Sequence, residues 1–374
     1  MQINLSSPDI NQADIDAVVA VLKTPNLSLG PKLPEFEEKL AAYVGTRHAV
    51  AVNSGTSALH CIIRALGIKD GDEVITTPFS FVASSNCVLF ERARPVFVDI
   101  DPVTYNIDAG RIEAAITPRT KAILPVDVFG RPAQLDLIAD VARRRGLLVI
   151  EDSCEALGST YRGRPAGSFG HAAAFAFYPN KQMTTGEGGV VVTNDARLAA
   201  LCRSLRNQGR GEAGAWLAHE RLGYNFRLCD ILCALGISQL ARLDEFVAKR
   251  SAVAERYNRL LADLPEVVTP APYADGRMSW FVYVIRLADR LGRADRDALM
   301  KGLRERGIGT NCYFTPIHLQ PFYRELLGTK EGDFPVTEHV ADRTLALPFH
   351  NNLAEADQRT VVAALRDILG RLGK

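Results

Sequence analysis

Seven short apolar runs, each closed by turn residues and most preceded by a helical stretch, constrain this chain more than any single motif. They fall at 49–52, 73–77, 95–99, 122–127, 147–151, 172–177 and 189–193. Each is four to six residues long, too short for a helix and apolar at successive positions, as strands buried on both faces are. Helical periodicity places helices at 14–22, 32–44, a stretch ending at Leu66, 84–92, 109–116 and 135–145, with Gly45 and Gly67 as stops. Strands alternating with helices argue for an α/β fold with a mostly parallel seven-stranded sheet and helices on both faces. After the last run the chain is helical to about Asn207, loops through the glycine-rich 208–214, and resumes as one long helix toward Leu261. A helix of that length carries the chain out of one layer, so the expected division is a large domain, 1–247, and a smaller C-terminal α+β domain, 248–374. In the second domain the pattern gives strands at 281–287 and near 309–314 and helices at 293–306 and 355–372. Asn352 and Glu355 have capping-box spacing before the last of these.

Sheets of this type collect ligands beyond the carboxyl ends of their strands. Lys181 leaves the sixth run through Tyr178-Pro-Asn180 and enters Gln182-Met-Thr-Thr-Gly-Glu-Gly-Gly189, where three glycines leave little bulk over the backbone. A lysine against apolar walls loses hydration, which favours the neutral amine that attacks an aldehyde to form a Schiff base. A solvated lysine in a turn is the plainer alternative. Ser54, Gly55, Thr56 and Ser57 open a helix directly after the first run. Free amides, hydroxyls and the helix dipole suit a phosphate there, while simple N-capping explains the same residues. Asp152 follows the fifth run; it can pair with a protonated ring nitrogen, or else cap a helix or bridge to a cation. Phe81, in Pro78-Phe-Ser-Phe81, can stack on a flat ring or belong to the core.

Composition excludes other classes. The formal net charge is +1, so nothing electrostatic calls for nucleic acid or an anionic membrane. The apolar runs are too short to span a bilayer, and the first residues lack the basic start and apolar core of a signal peptide. Seven scattered cysteines, without zinc spacing, read as free thiols in a reducing cytoplasm.

At Asn53-Ser-Gly-Thr56, Glu151-Asp152, Lys181 with Thr-Thr-Gly-Glu-Gly-Gly189, and Leu222-Gly-Tyr-Asn-Phe-Arg227, the sequence resembles the DegT/StrS sugar-nucleotide aminotransferases, pyridoxal 5'-phosphate enzymes of fold type I. The resemblance extends to Thr315-Pro-Ile-His-Leu-Gln-Pro-Phe-Tyr323 and covers nearly the whole chain. It implies that Lys181 carries the cofactor and moves the proton, and that Asp152 holds the ring nitrogen protonated. It further implies that Phe81 stacks on the ring, that Ser54, Gly55, Thr56 and Ser57 bind the phosphate, and that Glu155 lies near the ring. Asn225 would reach the phosphate of a neighbouring subunit, making a homodimer with shared active sites. His318, Tyr313 and Glu187 are the candidate sugar contacts. The implied reaction moves an amino group from an amino acid, glutamate first, to a nucleotide-linked keto-sugar. The lysine stretch is similar to members acting at C-4 more than at C-3. A C-3 keto-sugar or cyclitol aminotransferase, a dehydratase and a non-catalytic regulatory protein are the alternatives; a lysine rather than a histidine at 181 speaks against the dehydratase. One departure concerns Ala176, where many members carry a serine. The loss of that phosphate bond costs about 1 kcal/mol, with Thr184 or a water as a replacement.

Overall fold

The computed structural model describes residues 2–211 and 218–372. Its main sheet holds the seven expected strands: β1 His48–Val52, β2 Glu73–Thr76, β3 Arg94–Phe97, β4 Thr120–Ile123 and β5 Leu148–Asp152. A two-residue hairpin, β6 Thr160–Tyr161 with β7 Arg164–Pro165, precedes β8 Ala172–Ala176 and β9 Gly189–Thr193. The order across the main sheet is β1-β9-β8-β5-β4-β2-β3. β3, β2, β4, β5 and β8 pair in parallel; β9 runs against both its neighbours, β8 and β1, so six strands point one way. Their carboxyl ends therefore open on one edge. There Val52, Gly189 and Ala176 stand in one row, with Asp152 paired to Ala174 beside it.

Side chains of the central strands alternate between two helical layers, as a period of two requires. Val50, Val52, Ala172, Ala174 and Val191 pack with Leu59 and Ile62 of helix Gly55–Ala65 and Leu198 and Leu205 of helix Ala196–Arg206. Ala49, Ala51, Ala173, Phe175, Val190 and Val192 face Leu33, Phe36, Leu40 and Val44 of helix Lys32–Val44. That helix ends where Gly45 takes the left-handed conformation.

A second core gathers β10 Val267–Val268, β11 Tyr283–Leu287 and β12 Thr344–Leu347, an antiparallel sheet in that order. Helices Arg293–Glu305 and Glu355–Leu372 cover it. Val247 packs in the first region and Val253 in the second, so one helix, Leu243–Leu261, serves both. Ile3, from the opposite end of the chain, also packs in the second core.

Three local expectations are corrected. The long helix is broken: Asp230–Leu240 ends at Ala241, and Leu243–Leu261 begins after Arg242. Neither glycine nor proline marks the break; Arg242 instead turns to Asp9 and the fully buried Asp14 (2.6 Å), whose charge it neutralises. The stretch near 309–314 forms no strand. Gly309 donates to Ile3, and the Asn311 carbonyl accepts from Ala346, so its backbone is divided between two partners. Asn352 is not a cap, because the last helix starts at Glu355 and a turn from His350 to Leu353 precedes it. Of the glycine-rich loop, residues 212–214 lie outside the described residues.

Candidate active site

The sheet edge brings the candidate groups together. Lys181 leaves β8 through a turn closed by hydrogen bonds from Thr185 to the Phe177 carbonyl and from Phe177 to the Gly188 carbonyl. Its amine lies 3.5 Å from the Glu155 carboxylate and 3.7 Å from the centroid of the Phe281 ring, with the side chain 13% exposed. The second Glu155 oxygen accepts the Phe129 amide at 2.8 Å. Burial pushes the Glu155 carboxyl up, and the Lys181 charge works against that push.

Asp152, at the end of β5, is buried and accepts the Ser84 hydroxyl (2.6 Å) and the Cys154 amide (3.2 Å). Neither partner carries a charge, so among the described residues the carboxyl group is bonded by neutral donors alone. Ser84 opens the helix Ala83–Phe90, and its amide bonds back to the Phe81 carbonyl. The link ties Phe81 to Asp152; the Phe81 ring itself stands 61% exposed on the open side. A core role for Phe81 is thus excluded.

Ser54 is the N-cap of helix Gly55–Ala65, its hydroxyl accepting the Ser57 amide at 3.1 Å and meeting the Ser57 hydroxyl at 3.0 Å. Capping therefore occupies Ser54, while the amides of Gly55 and Thr56 head the helix without intrahelical partners. The helix start is pressed onto the sheet. A Cβ on Gly55 would lie 2.7 Å from the Ala176 Cβ and 3.0 Å from the Cys154 sulfur; one on Gly189 would lie 2.4 Å from the Ser54 backbone. Ala176 thus sits directly against the helix start, and its methyl offers no bond. Thr184 does not replace it: its hydroxyl donates to the Phe177 carbonyl and accepts the Gly186 amide, both at 2.9 Å.

Of the sugar candidates, Tyr313 lies at the site, edge-on to Phe281 and Phe129. Burial and the nearby Glu155 charge push its hydroxyl up to about 12. Glu187 is exposed on the lysine turn. His318 is a correction: its ring is fully buried, bonded to Glu338 at 2.9 Å and packed on Phe334, so it has no face to offer a sugar. Asn225 is exposed on its own chain.

Sequence reasoning missed a buried acid behind the site. Asp127 is 1% exposed and accepts the Ser153 hydroxyl (2.7 Å) and the Ala133 amide (2.9 Å). Burial, and then the Glu151 charge, raise its carboxyl from an ordinary 3.8 to about 8. The folded chain holds a proton that the unfolded chain releases near pH 4. This group's contribution to stability, complete below that pH, is therefore lost as pH rises through about 8. Wild-type unfolding free energy should decline across that window by up to about 1.4 kcal/mol per pH unit from this group. Asp127→Asn should flatten the decline. Denaturant titrations of both proteins at several pH values check this; parallel curves contradict it.

The donor set fits pyridoxal phosphate. An amine for an aldehyde, a buried carboxylate for a protonated ring nitrogen and a helix start for a phosphate open on one edge, where Gly55 and Gly189 let the helix start lie directly against the sheet. Comparison with known proteins agrees. The profile of the DegT/DnrJ/EryC1/StrS aminotransferase family matches residues 8–366. The chain is 42% identical over 371 residues to the GDP-perosamine synthase of Caulobacter vibrioides, covering 98% of both chains. Among solved structures it is similar to Helicobacter pylori PseC, an aminotransferase of pseudoaminic acid biosynthesis, at TM-score 0.94 and 31% identity, covering 99% of this chain and 100% of the other. It is equally similar in fold to the pyridoxal phosphate form of the putative sugar aminotransferase Spr1654 from Streptococcus pneumoniae, at TM-score 0.94 and 28% identity over the whole of both chains.

Proposed function

The chain belongs to the DegT/DnrJ/EryC1/StrS aminotransferase family and is a pyridoxal phosphate-dependent sugar aminotransferase; from that premise we propose that it transfers the amino group of L-glutamate to C-4 of a nucleotide-linked 4-keto-6-deoxy sugar. The observation that carries the reading is the meeting of Lys181, Asp152 and the 54–57 helix start on one sheet edge. The nucleotide-linked substrate is supported by the GDP-sugar relative, and the C-4 position by the likeness of the lysine stretch to members acting there.

When bound, pyridoxal phosphate supplies an electrophilic carbon and a ring that takes up electron density. Asp152 holds a proton at the ring nitrogen, and Ser84 and the Cys154 amide fix the orientation of its carboxylate. The Gly55 and Thr56 amides and the Thr56 and Ser57 hydroxyls would hold the phosphate, and Phe81 would stack on the ring. Lys181 removes the proton from the donor's α-carbon and returns it on the other side of the transfer. The Glu155 carboxylate would steady the Lys181 ammonium by charge while the lysine holds that proton. Tyr313 and Glu187 remain the candidate sugar contacts. No helix among the described residues is long and apolar enough to cross a membrane, and seven free cysteines support a reducing cytoplasm as its place. Adding L-glutamate to the loaded protein should discharge the cofactor's visible band, and NMR of the sugar product should put the amine at C-4. A persistent band, or an amine at C-3, contradicts the corresponding half of the proposal.

The active unit in this reading is a homodimer with shared sites. The Tyr224 and Phe226 rings stack at 4.7 Å and both pack on His60, which turns the intervening Asn225 outward. With Ala176 bare, the phosphate depends more on an amide supplied by the partner, and Asn225→Ala should cost roughly 1.5–3 kcal/mol of cofactor affinity. Mixing Asn225→Ala with Lys181→Ala protein tests the sharing, because one site of the mixed dimer keeps both groups and the other lacks both. Activity should return on mixing. If verified mixed dimers stay inactive while Asn225→Ala alone is impaired, Asn225 serves its own chain, whose Asn53 amide already bonds the Phe226 carbonyl.

A further inference from the structure

Arg250, on helix Leu243–Leu261, is 2% exposed, and burial drives its guanidinium down to about 10. All its hydrogen bonds run to backbone carbonyls. One terminal nitrogen donates to Phe281 (3.0 Å) and Trp280 (3.3 Å), the other to Lys181 (3.0 Å), while Nε finds no partner among the described residues. Asp9, the carboxylate that feels its charge, is bonded by Arg242 and Lys249 instead. A buried cation without an ion pair is costly, and an apolar side chain of similar length would pack on Phe349 without that cost. What such a side chain cannot do is hold three carbonyls at once.

Two of those carbonyls belong to the two sides of a single contact. The Lys181 amine lies over the Phe281 ring, and one planar guanidinium fixes the backbone of both residues. Gln182 adds a second tie from the lysine turn to the same segment, donating to the Ser279 and Glu155 carbonyls. We propose that Arg250 is a positioning residue for Lys181: by fixing the lysine turn against residues 280–281, it sets where the amine stands against Phe281 and Glu155. The inference rests on Lys181 carrying the cofactor. Misplacement of a reacting group by about 1 Å costs on the order of 100-fold in rate, so the effect belongs in kcat more than in KM.

The test loads wild-type, Arg250→Met and Arg250→Lys proteins with pyridoxal phosphate and reads three quantities: the peptide labelled after borohydride reduction, the visible circular dichroism per bound cofactor, and kcat and KM separately. The label should fall on Lys181 in all three proteins. Both variants should lose most of the visible dichroism per bound cofactor, with kcat down on the order of 100-fold and KM for the donor little changed. The lysine variant is not rescued, because one nitrogen cannot span two segments. A variant with lowered Tm but wild-type dichroism and kcat overturns the proposal and leaves Arg250 a structural residue. If neither variant folds, Phe281→Leu is read by the same dichroism, and an unchanged signal overturns it equally. A wild-type label on another lysine defeats the underlying assignment and the inference with it; a label on Lys181 with unchanged dichroism defeats the inference alone.

Discussion

Lys181→Ala protein is expected to fold, to take no covalent pyridoxyl label on borohydride reduction, and to lose transamination by at least about 10⁴-fold. The fold should survive because the lysine turn is held without the amine: the Thr185 amide donates to the Phe177 carbonyl, the Phe177 amide to the Gly188 carbonyl, and the Arg250 guanidinium to the residue 181 carbonyl. Removing the amine takes one cation from Glu155, which keeps the Phe129 amide and whose carboxyl is already pushed toward its neutral form by burial. Activity should fall because two tasks depend on one nitrogen, holding the cofactor and moving the proton at the donor's α-carbon. Peptide mapping of the reduced wild-type protein locates the label independently of turnover. A label on any other lysine refutes the assignment.

Asp152→Asn should keep the fold and bind cofactor, yet lose on the order of 10²–10³ in kcat. The asparagine oxygen can still accept the Cys154 amide, and Ser84, which also meets Ser80 at 2.7 Å, can rotate its hydroxyl to accept from the new amide nitrogen. No void opens and no buried donor is orphaned, so stability should change little. What disappears is the negative charge that keeps a proton on the ring nitrogen, since an amide cannot balance it. Cofactor content from the visible spectrum, measured beside kcat, separates loss of rate from loss of binding. Unchanged turnover in fully loaded protein would remove Asp152 from the chemistry.

The main sheet was legible because each of its strands is apolar on successive positions and bounded by turn residues, a local signal. Lys181, Asp152 and Ser54 could be set on one edge from that alone, since each follows a strand pointing the same way. The second core was harder. Thr344–Leu347 is a four-residue run buried at every position, which periodicity cannot tell from a piece of helix. The 309–314 stretch looks like a strand, but its backbone-to-backbone bonds go to Ile3 and to a single position of β12. The site's supporting groups left no local mark at all. Ser84 meets Asp152 across 68 residues and Arg250 meets Lys181 across 69. The loss of Thr184 as a phosphate donor was equally hidden, because its hydroxyl is consumed by the turn it helps to close. His318 failed for the opposite reason: a histidine on a loop looks available, and only the packing of Phe334 and Glu338 around it shows that it is not.

Nitrogen transfer through Lys181 can be followed directly. The loaded protein is incubated with α-¹⁵N-glutamate and UDP-, GDP- and dTDP-linked 4-keto-6-deoxy sugars in turn, and the sugar nucleotides are read by mass spectrometry. ¹⁵N is expected in at least one of them, lost in Lys181→Ala protein and strongly slowed in Asp152→Asn. If the label leaves glutamate but enters no sugar, or if the Lys181→Ala protein transfers it as well as wild type, the chain is not an aminotransferase of this kind acting through Lys181.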